Sequence, residues 1–293
     1  MSALASSRGY ALVSVLWLVL LLTGIAASYH VHARVEARLL TTALQRAQAE
    51  GLAEAGIWIA AHEHFSAALS PEARSNRVTR TIDVDGAAVA ATIADVSGLI
   101  NLNGAPPELL TALLAARSGL DPAEQAAVVD AILDWRDSDS TRRSAGAEDD
   151  EYAALKRSHG AKDAPFATVD ELRLVRGMTP RAYRAIAPSL TVFGNHARVN
   201  TAAAPPAVLA ALPRDSAGGT RAPEGSYDQR FVQQTGEDVY TVSAAATVGA
   251  VTAHVVATMR YARGEQRPVQ VLAWSDAPAA AAALQEQGVL HAP

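Results

Sequence analysis

Between residues 134 and 151 the chain gathers Asp134, Asp137, Asp139, Glu148, Asp149, Asp150 and Glu151. Carboxylates on a loop are hard oxygen donors. They suit calcium, which takes about six to eight oxygens at about 2.3–2.6 Å. Gly146 lies in the gap between the two halves. The spacing is not that of an EF-hand: a D-x-D occurs, but the glycine and glutamate offsets are wrong. So many like charges repel one another unless a cation or arginines neutralise them. Arg136, Arg142 and Arg143 stand inside the stretch. Two readings are therefore open, a cation-holding loop or a solvated acidic loop laced with salt bridges.

Other reactive residue types carry less. His62-Glu63-His64 has the look of a metal pair, but residues two apart on a helix do not share a face, so a surface helix end is expected. Ser97 before Gly98 lacks the pattern of a nucleophile elbow and reads as a turn. No phosphate-binding or dinucleotide-binding glycine motif occurs. The 293 residues contain no cysteine, which excludes disulfides and thiolate chemistry. With no catalytic constellation, no enzyme activity is expected. The net charge of −5 argues against a nucleic-acid partner. One segment keeps an alternative alive: LRLVRGMTPRAYRAIAP (172–188) resembles a helix-hairpin-helix, as in membrane-tethered DNA-binding receptors. Its turn, Arg176 to Pro180, has the single glycine Gly177 where such hairpins usually read G-[IV]-G. A packing role is favoured.

Residues 10–29 carry no charge. At about 1.5 Å per residue they can span a hydrocarbon core of about 30 Å. Arg8 precedes them, which puts the N-terminus in the cytoplasm and the rest outside. Three readings compete: a plain anchor, a secretory signal cut near Ala26-Ala27-Ser28, or a pilin-type leader cut before the run. Residues 30–65 favour the third, because they keep a helical pattern without a break. Val31, Val35, Leu39 and Ala43 recur at steps of four, with Leu40 and Leu44 beside them and Arg34, Glu36, Arg38, Gln45 and Arg46 interleaved. No proline occurs before Pro71. A cleaved signal has no reason to run straight into a long amphipathic helix, whereas a pilin stem does.

SSRG-YALVSVLWLVLL resembles a class III leader, cut by prepilin peptidase after Gly9 to leave an N-methylated Tyr10. Most pilins carry Glu at mature position five, and here Ser14 stands there. AILDWRDSDS…GAEDDEY (131–152), FATVDELRLVRGMTPRAYRAIAPSLTVF (166–193), INLNGAPPELLTALL and RVNTAAAPPAVLAAL complete a likeness that runs over most of 8–275. In that order they resemble the minor pseudopilin K family of type II secretion systems. The missing Glu is typical of that subunit, whose proposed place is the tip of the pseudopilus.

The resemblance implies an α+β fold: a pilin-like long N-terminal helix packed on an antiparallel sheet, with an inserted all-helical domain. The implied division is a leader (1–9), the membrane half of the stem (10–29), its periplasmic half (30–66), a first part of the sheet (67–100), the helical domain with the acidic loop (101–195), a second part of the sheet (196–275) and a flexible tail (276–293). It implies structural calcium, with Asp137, Asp139, Glu148 and Asp149 as ligands and Asp134 as ligand or helix cap. The implied partners are the minor pseudopilins I, J and H and the major pseudopilin. The implied setting is the bacterial inner membrane, with a single pass and a periplasmic head. The implied role is to initiate pseudopilus assembly and aid export of folded proteins across the outer membrane.

Local patterns fit this layout. Val78–Val84 and 88–96 alternate, with Asp85-Gly86 between them as a hairpin signal. Pro106-Pro107-Glu108 and Asp121-Pro122 open helices. Thr168 and Glu171 have the spacing of a capping box. Residues 239–248, 251–261 and 268–274 read as strands, Arg263-Gly264-Glu265 as a turn, and 213–226 as a flexible loop. INLNGAPPELLTALL and RVNTAAAPPAVLAAL echo one another, each a strand-like start before a proline-opened helix.

Overall fold

A computed structural model of the chain describes residues 7–215, 226–262, 264 and 267–275; for 7–11, 27, 30, 31, 33, 71 and 72 it describes the backbone only. Most of the expected flexible loop, the flanks of Gly264 and the tail from 276 lie outside the described residues.

Helix α1 (Ser7–Ser66) is continuous through 60 residues, and the single turn α2 (Pro71–Arg74) follows it. Among the residues whose side chains are described, no helix is long and apolar enough to cross a membrane. Leu12, Trp17, Leu21 and Ile25 are each exposed over most of their surface. So are Leu39, Leu40 and Leu44 further along.

The second part of α1 turns one face into a core. Ala49, Ala53, Ile57, Ala60, Ala61 and Phe65 are buried at helical spacing. They meet a five-stranded antiparallel sheet made of β1 (Val78–Val84), β2 (Ala87–Asp95), β7 (Val239–Val248), β8 (Val251–Tyr261) and β9 (Val269–Ser275), in the order β1-β2-β7-β8-β9. The facing strand residues are Val89, Ala91, Ile93, Val242, Ala244, Val255, Ala257 and Met259. Small residues set the distance. A Cβ on Gly56 would fall 2.5 Å from Val89 Cγ1, so only glycine lets helix and sheet close that far. Burying Ile57 and Phe65 contributes about 1.5–3 kcal/mol each. The β1–β2 turn uses Asp85 (φ 52°) and Gly86 (φ 81°), both left-handed as a two-residue hairpin of this type requires.

His64 corrects an expectation. It is not a surface residue but fully buried, its Nε2 2.9 Å from the carbonyl of Arg74 and its ring edge-on to Phe65 and Tyr240. The spacing argument separates His62 from His64, but it does not say which of the two faces the sheet.

Between β2 and β7, which pair directly (Asp95↔Tyr240), the chain makes a second core. Its elements are β3 (Ile100–Asn101), α3 (Pro107–Arg117), α4 (Pro122–Arg136), α5 (Asp149–Ala154), α6 (Pro180–Ile186), β4 (Leu190–Thr191), β5 (Val199–Asn200), α7 (Pro206–Ala211) and β6 (Val232–Gln233). Two expectations change here. The block is not all-helical, because β3–β4 and β5–β6 are parallel pairs; two-residue strands are too short to show a period. The return to the sheet comes at Val239 rather than 196, because Val199, Val208, Leu212 and Phe231 pack into the second core.

One carboxylate ties both ends of this block to the sheet. Asp95, 1% exposed, accepts from the N–H of Ser97 at 2.8 Å and from that of Glu237 at 3.1 and 3.0 Å. Gly236 sits so close that a Cβ would fall 2.5 Å from Asp95 Oδ2. Burial raises the Asp95 carboxyl above its ordinary range, against the pull of these N–H groups.

The sequence echo is a structural repeat. Asn101 Oδ1 accepts from the N–H of Asn103 at 2.8 Å, and Asn200 Oδ1 from that of Ala202 at 3.0 Å. Ala105 N–H and Ala204 N–H return to the carbonyls of Asn101 and Asn200 at 2.8 and 3.0 Å. Pro106 and Pro205 precede α3 and α7 with nearly equal angles (φ −69°, ψ 157° and φ −71°, ψ 158°).

Candidate cation centre

Helix α4 begins on a capping box, Asp121 accepting from the N–H groups of Ala123 and Glu124 at 2.9 and 2.8 Å. Its last turn holds Asp134 and Arg136 and its cap is Asp137, so that two carboxylates stand at the negative end of the helix dipole. That placement costs stability unless positive charge is supplied. Helix α5 then opens on Glu148, with Asp149, Asp150 and Glu151 in its first turn, where the dipole favours them. Trp135 and Tyr152, 5.8 Å apart and edge-on, lock the two helices, with Phe166 stacked on Trp135.

The loop folds over Asp134. That carboxylate is fully buried and accepts from the backbone N–H of Arg143 at 3.2–3.3 Å and from its Nη1 at 2.7 Å. The same Nη1 reaches Asp137 Oδ2 at 2.5 Å. These two bonds raise the Arg143 guanidinium above its ordinary range. Gly146 lies against Asp134, where a Cβ would fall 1.9 Å from Oδ2. The other two arginines do different work. Arg142 pairs with Glu151 at 3.1 Å. Arg136 turns away to the carbonyls of Leu102 and Ala105.

The four expected ligands divide. Asp137 Oδ1 and Glu148 Oε1 are buried and have no hydrogen-bond partner. Glu148 is 7% exposed, and burial pushes its carboxyl up to about 7, with the charges of Asp134, Asp163, Asp137 and Asp139 adding to the effect. Asp139 is exposed and caps the Thr141 N–H at 2.8 Å, which holds its carboxyl low. Asp149 is turned to the Ala161 N–H at 3.1 Å, under Gly160. Among the described residues no three His, Asp or Glu side chains meet in a group set to hold a metal ion. Asp163, whose charge adds to the rise of the Glu148 carboxyl, is the one contributor that sequence reasoning did not name. It lies well beyond the acidic run, and only its sign and its place before Ala164-Pro165 marked it.

Of the oxygens a hard divalent cation would need, the loop leaves two without a hydrogen-bond partner, Asp137 Oδ1 and Glu148 Oε1, and no third ligand group gathers with them among the described residues. Two buried carboxylate oxygens lack any donor, and in a low-dielectric setting an unpaired acceptor is costly. Asp137 and Glu148 would hold the ion, with Asp134 beside them.

Elsewhere the expected capping box at 168 does not form. Thr168 makes no side-chain cap bond, since the Glu171 N–H turns to the Thr168 carbonyl at 3.4 Å in a 3-10 turn, while the Glu171 carboxylate is taken by Lys162 at 2.8 Å and by the Ala167 N–H at 3.1 Å. Residues 172–188 bury Leu172, Val175, Ala182 and Ile186, with Gly177 at φ 81° in the turn.

Comparison with known proteins bears on this same region. The family model for type II secretion system (T2SS), protein K, matches residues 95–195. Type II secretion system protein K of Klebsiella pneumoniae is 29% identical over 150 residues, 45% of this chain and 46% of that protein. Its namesake from Pseudomonas aeruginosa is 32% identical over 139 residues, 44% of this chain and 41% of that protein. The matched part thus spans less than half the length of these curated relatives. The fold resembles a chain in the crystal structure of the GspK-GspI-GspJ complex of enterotoxigenic Escherichia coli, with a TM-score of 0.57 at 18% identity, covering 83% of this chain and 99% of that one. The family match opens at the Asp95 joint and takes in the whole acidic loop, the part that sets this head apart from a plain helix on a sheet, and over residues 95–195 the chain is similar to the type II secretion system protein K family.

Proposed function

We propose that the chain is the minor pseudopilin at the tip of a type II secretion pseudopilus, where it starts assembly and aids export of folded proteins across the outer membrane. It catalyses no reaction. The observation that carries this reading is the block between β2 and β7, clamped at Asp95 onto an otherwise simple helix-and-sheet head. A subunit broadened on that scale stacks poorly inside a fibre and suits its end. Ser14 agrees: a carboxylate in lipid is costly unless paired, and a subunit with none ahead of it gains nothing from one.

Residues 10–29 are the anchor in this reading, crossing the inner membrane once with the head in the periplasm. The exposed leucines of α1 then face lipid or neighbouring stems. Prepilin peptidase cuts after Gly9, and Tyr10 becomes the methylated first residue. The E. coli relative was crystallised with GspI and GspJ, so pseudopilins I and J are the expected neighbours here, with H and the major pseudopilin below. Calcium bound by Asp137 and Glu148 supplies positive charge at the end of α4 and closes the loop without disulfides.

Mass spectrometry of the membrane-extracted protein tests the processing: methyl-Tyr10 as the first residue is expected, and a start near Ser28 would overturn it. Co-purification with tagged I and J pseudopilins tests the tip role. Recovery with the major subunit alone would argue against it.

A further inference from the structure

We propose that the face of β9 beside α1 is the seat for a second α-helix, the stem of a neighbouring subunit, which lies along Leu40, Leu44 and Gly51 and comes to rest against Trp58 and Trp274. The seat rests on the reading of this chain as one stem-bearing subunit among several, and it adds where the neighbour touches it.

The sheet is wider than the helix that covers it. Five strands span about 19 Å from first to last, against about 10–12 Å for one helix. Helix α1 packs chiefly on β2, β7 and β8. On β9, Val269 and Val271 pair with Tyr261 and Met259, and Trp274 pairs with Ala257. Residues paired across antiparallel strands share a face, so all three point to the α1 side, beyond the helix. Val271 stays 40% exposed and Trp274 38%. Trp274 stacks at 6.1 Å on Trp58 of α1, which is itself 48% exposed. Beside this pair a cavity of about 320 Å³ opens between Ala61 and Phe65 of α1 and Tyr261, Pro268 and Val269.

The stem continues this surface. Five whole turns of about 3.6 residues separate Leu40 from Trp58, and Leu44, Ala47 and Gly51 fall on the same face between them. Glu54 borders that face, while Arg46 and Glu50 pair with each other away from it at 2.7 Å. Gly51 is the informative residue. Glycine inside a helix lowers stability. At Gly56 the approach of Val89 requires it, but at Gly51 an added Cβ would meet nothing within 4 Å. A second helix passing close gives a reason, because backbones approach only where side chains are small.

The surface also selects its occupant. Aromatic and aliphatic anchors along one helical face suit an apolar helix. The face starts close to the uncharged residues 10–29, so a helix lying along it from Leu40 comes from the membrane too. A neighbour's stem does that, and a soluble ligand does not.

The test is photo-crosslinking in membranes, with the full chain co-expressed with I and J pseudopilins. With Trp274 or Val271 replaced by benzoylphenylalanine, coupling to the N-terminal helix of a partner is expected. The same replacement at Thr81, on the far edge strand β1, should give none. Gly51→Leu should recover about tenfold less of that partner yet melt at the same temperature or higher, since leucine favours the helix. A purely structural role for Gly51 would not separate the two readouts. Trp58→Ser should lose partner to a similar degree without touching the helix backbone, and it covers a Gly51→Leu variant that fails to fold. If I and J co-purify but coupling at Trp274 goes only to lipid, to a second copy of this chain or to a partner's strands, the seat is overturned while the tip reading stands. Full partner recovery by both variants overturns it as well. If neither I nor J co-purifies and nothing couples, both fall.

Discussion

Gly146 lies over the carboxylate of Asp134 so closely that a methyl group in place of its hydrogen would fall 1.9 Å from Oδ2. The acidic loop can therefore fold down only with glycine there. Gly146→Ala is expected to destabilise the protein by about 1–3 kcal/mol, the range for a forced misfit in a tight site. It should also weaken any calcium response. Melting curves with and without calcium check this, and an unchanged melting temperature in chelator would contradict it.

Glu148 predicts a pH dependence. Burial pushes its carboxyl up to about 7, against an ordinary 4.5. Between those values the folded protein keeps a proton that the unfolded chain has released, so this group's contribution to stability is lost as pH rises through the window. Glu148→Gln has no such proton to lose. In chelator it should melt higher than wild type above pH 7 and match it more closely near pH 5. With calcium at pH 7.5 the order should narrow or reverse, because the variant has lost a ligand. Parallel pH profiles for the two proteins would remove Glu148 from the site.

The joint at Asp95 makes a third case. Asp95→Ala leaves the N–H groups of Ser97 and Glu237 without their acceptor in a buried setting. A cost of about 1–3 kcal/mol is expected for each group left unsatisfied. Limited proteolysis should then cut near 96–98 or 235–238 before it cuts the sheet. Cleavage elsewhere first would mean that the joint is held by other contacts.

The repeat allows a differential test. Asn101 bonds the carbonyls of Phe193 and Gly194 through Nδ2 at 3.2 and 2.9 Å. Asn200 Nδ2 has no partner. Asn101→Ala should therefore cost clearly more than Asn200→Ala, roughly 2 kcal/mol against about 1. Equal losses in chemical denaturation would show that the shared Oδ1 turn bond carries the whole effect.

These residues mark how far a sequence can be read. The long strands were legible because alternation over seven or more residues has no other reading, and Asp85-Gly86 named its own turn. The parallel pairs β3–β4 and β5–β6 were not, since two residues carry no period. The acidic run was visible as charge, but its inner order was not. Asp149 drops out because Gly160 and Ala161, far along the chain, approach it. Membership in a site depends on which loop lies over which, and local spacing is silent on that.

The Asp95 joint also bears on how such a molecule can vary. The chain leaves the sheet after Asp95 and re-enters at Val239, at neighbouring positions on paired strands. To the sheet, everything between is one long hairpin loop, and the entropy of closing a loop grows only slowly with its length. The block is in effect a cassette held by the two-pronged Asp95 plug and by Arg77, which donates to the carbonyls of Ala202 and Ala203 at 3.3 Å each. Between those fixed points it can lengthen or shorten without shifting the register of the five strands.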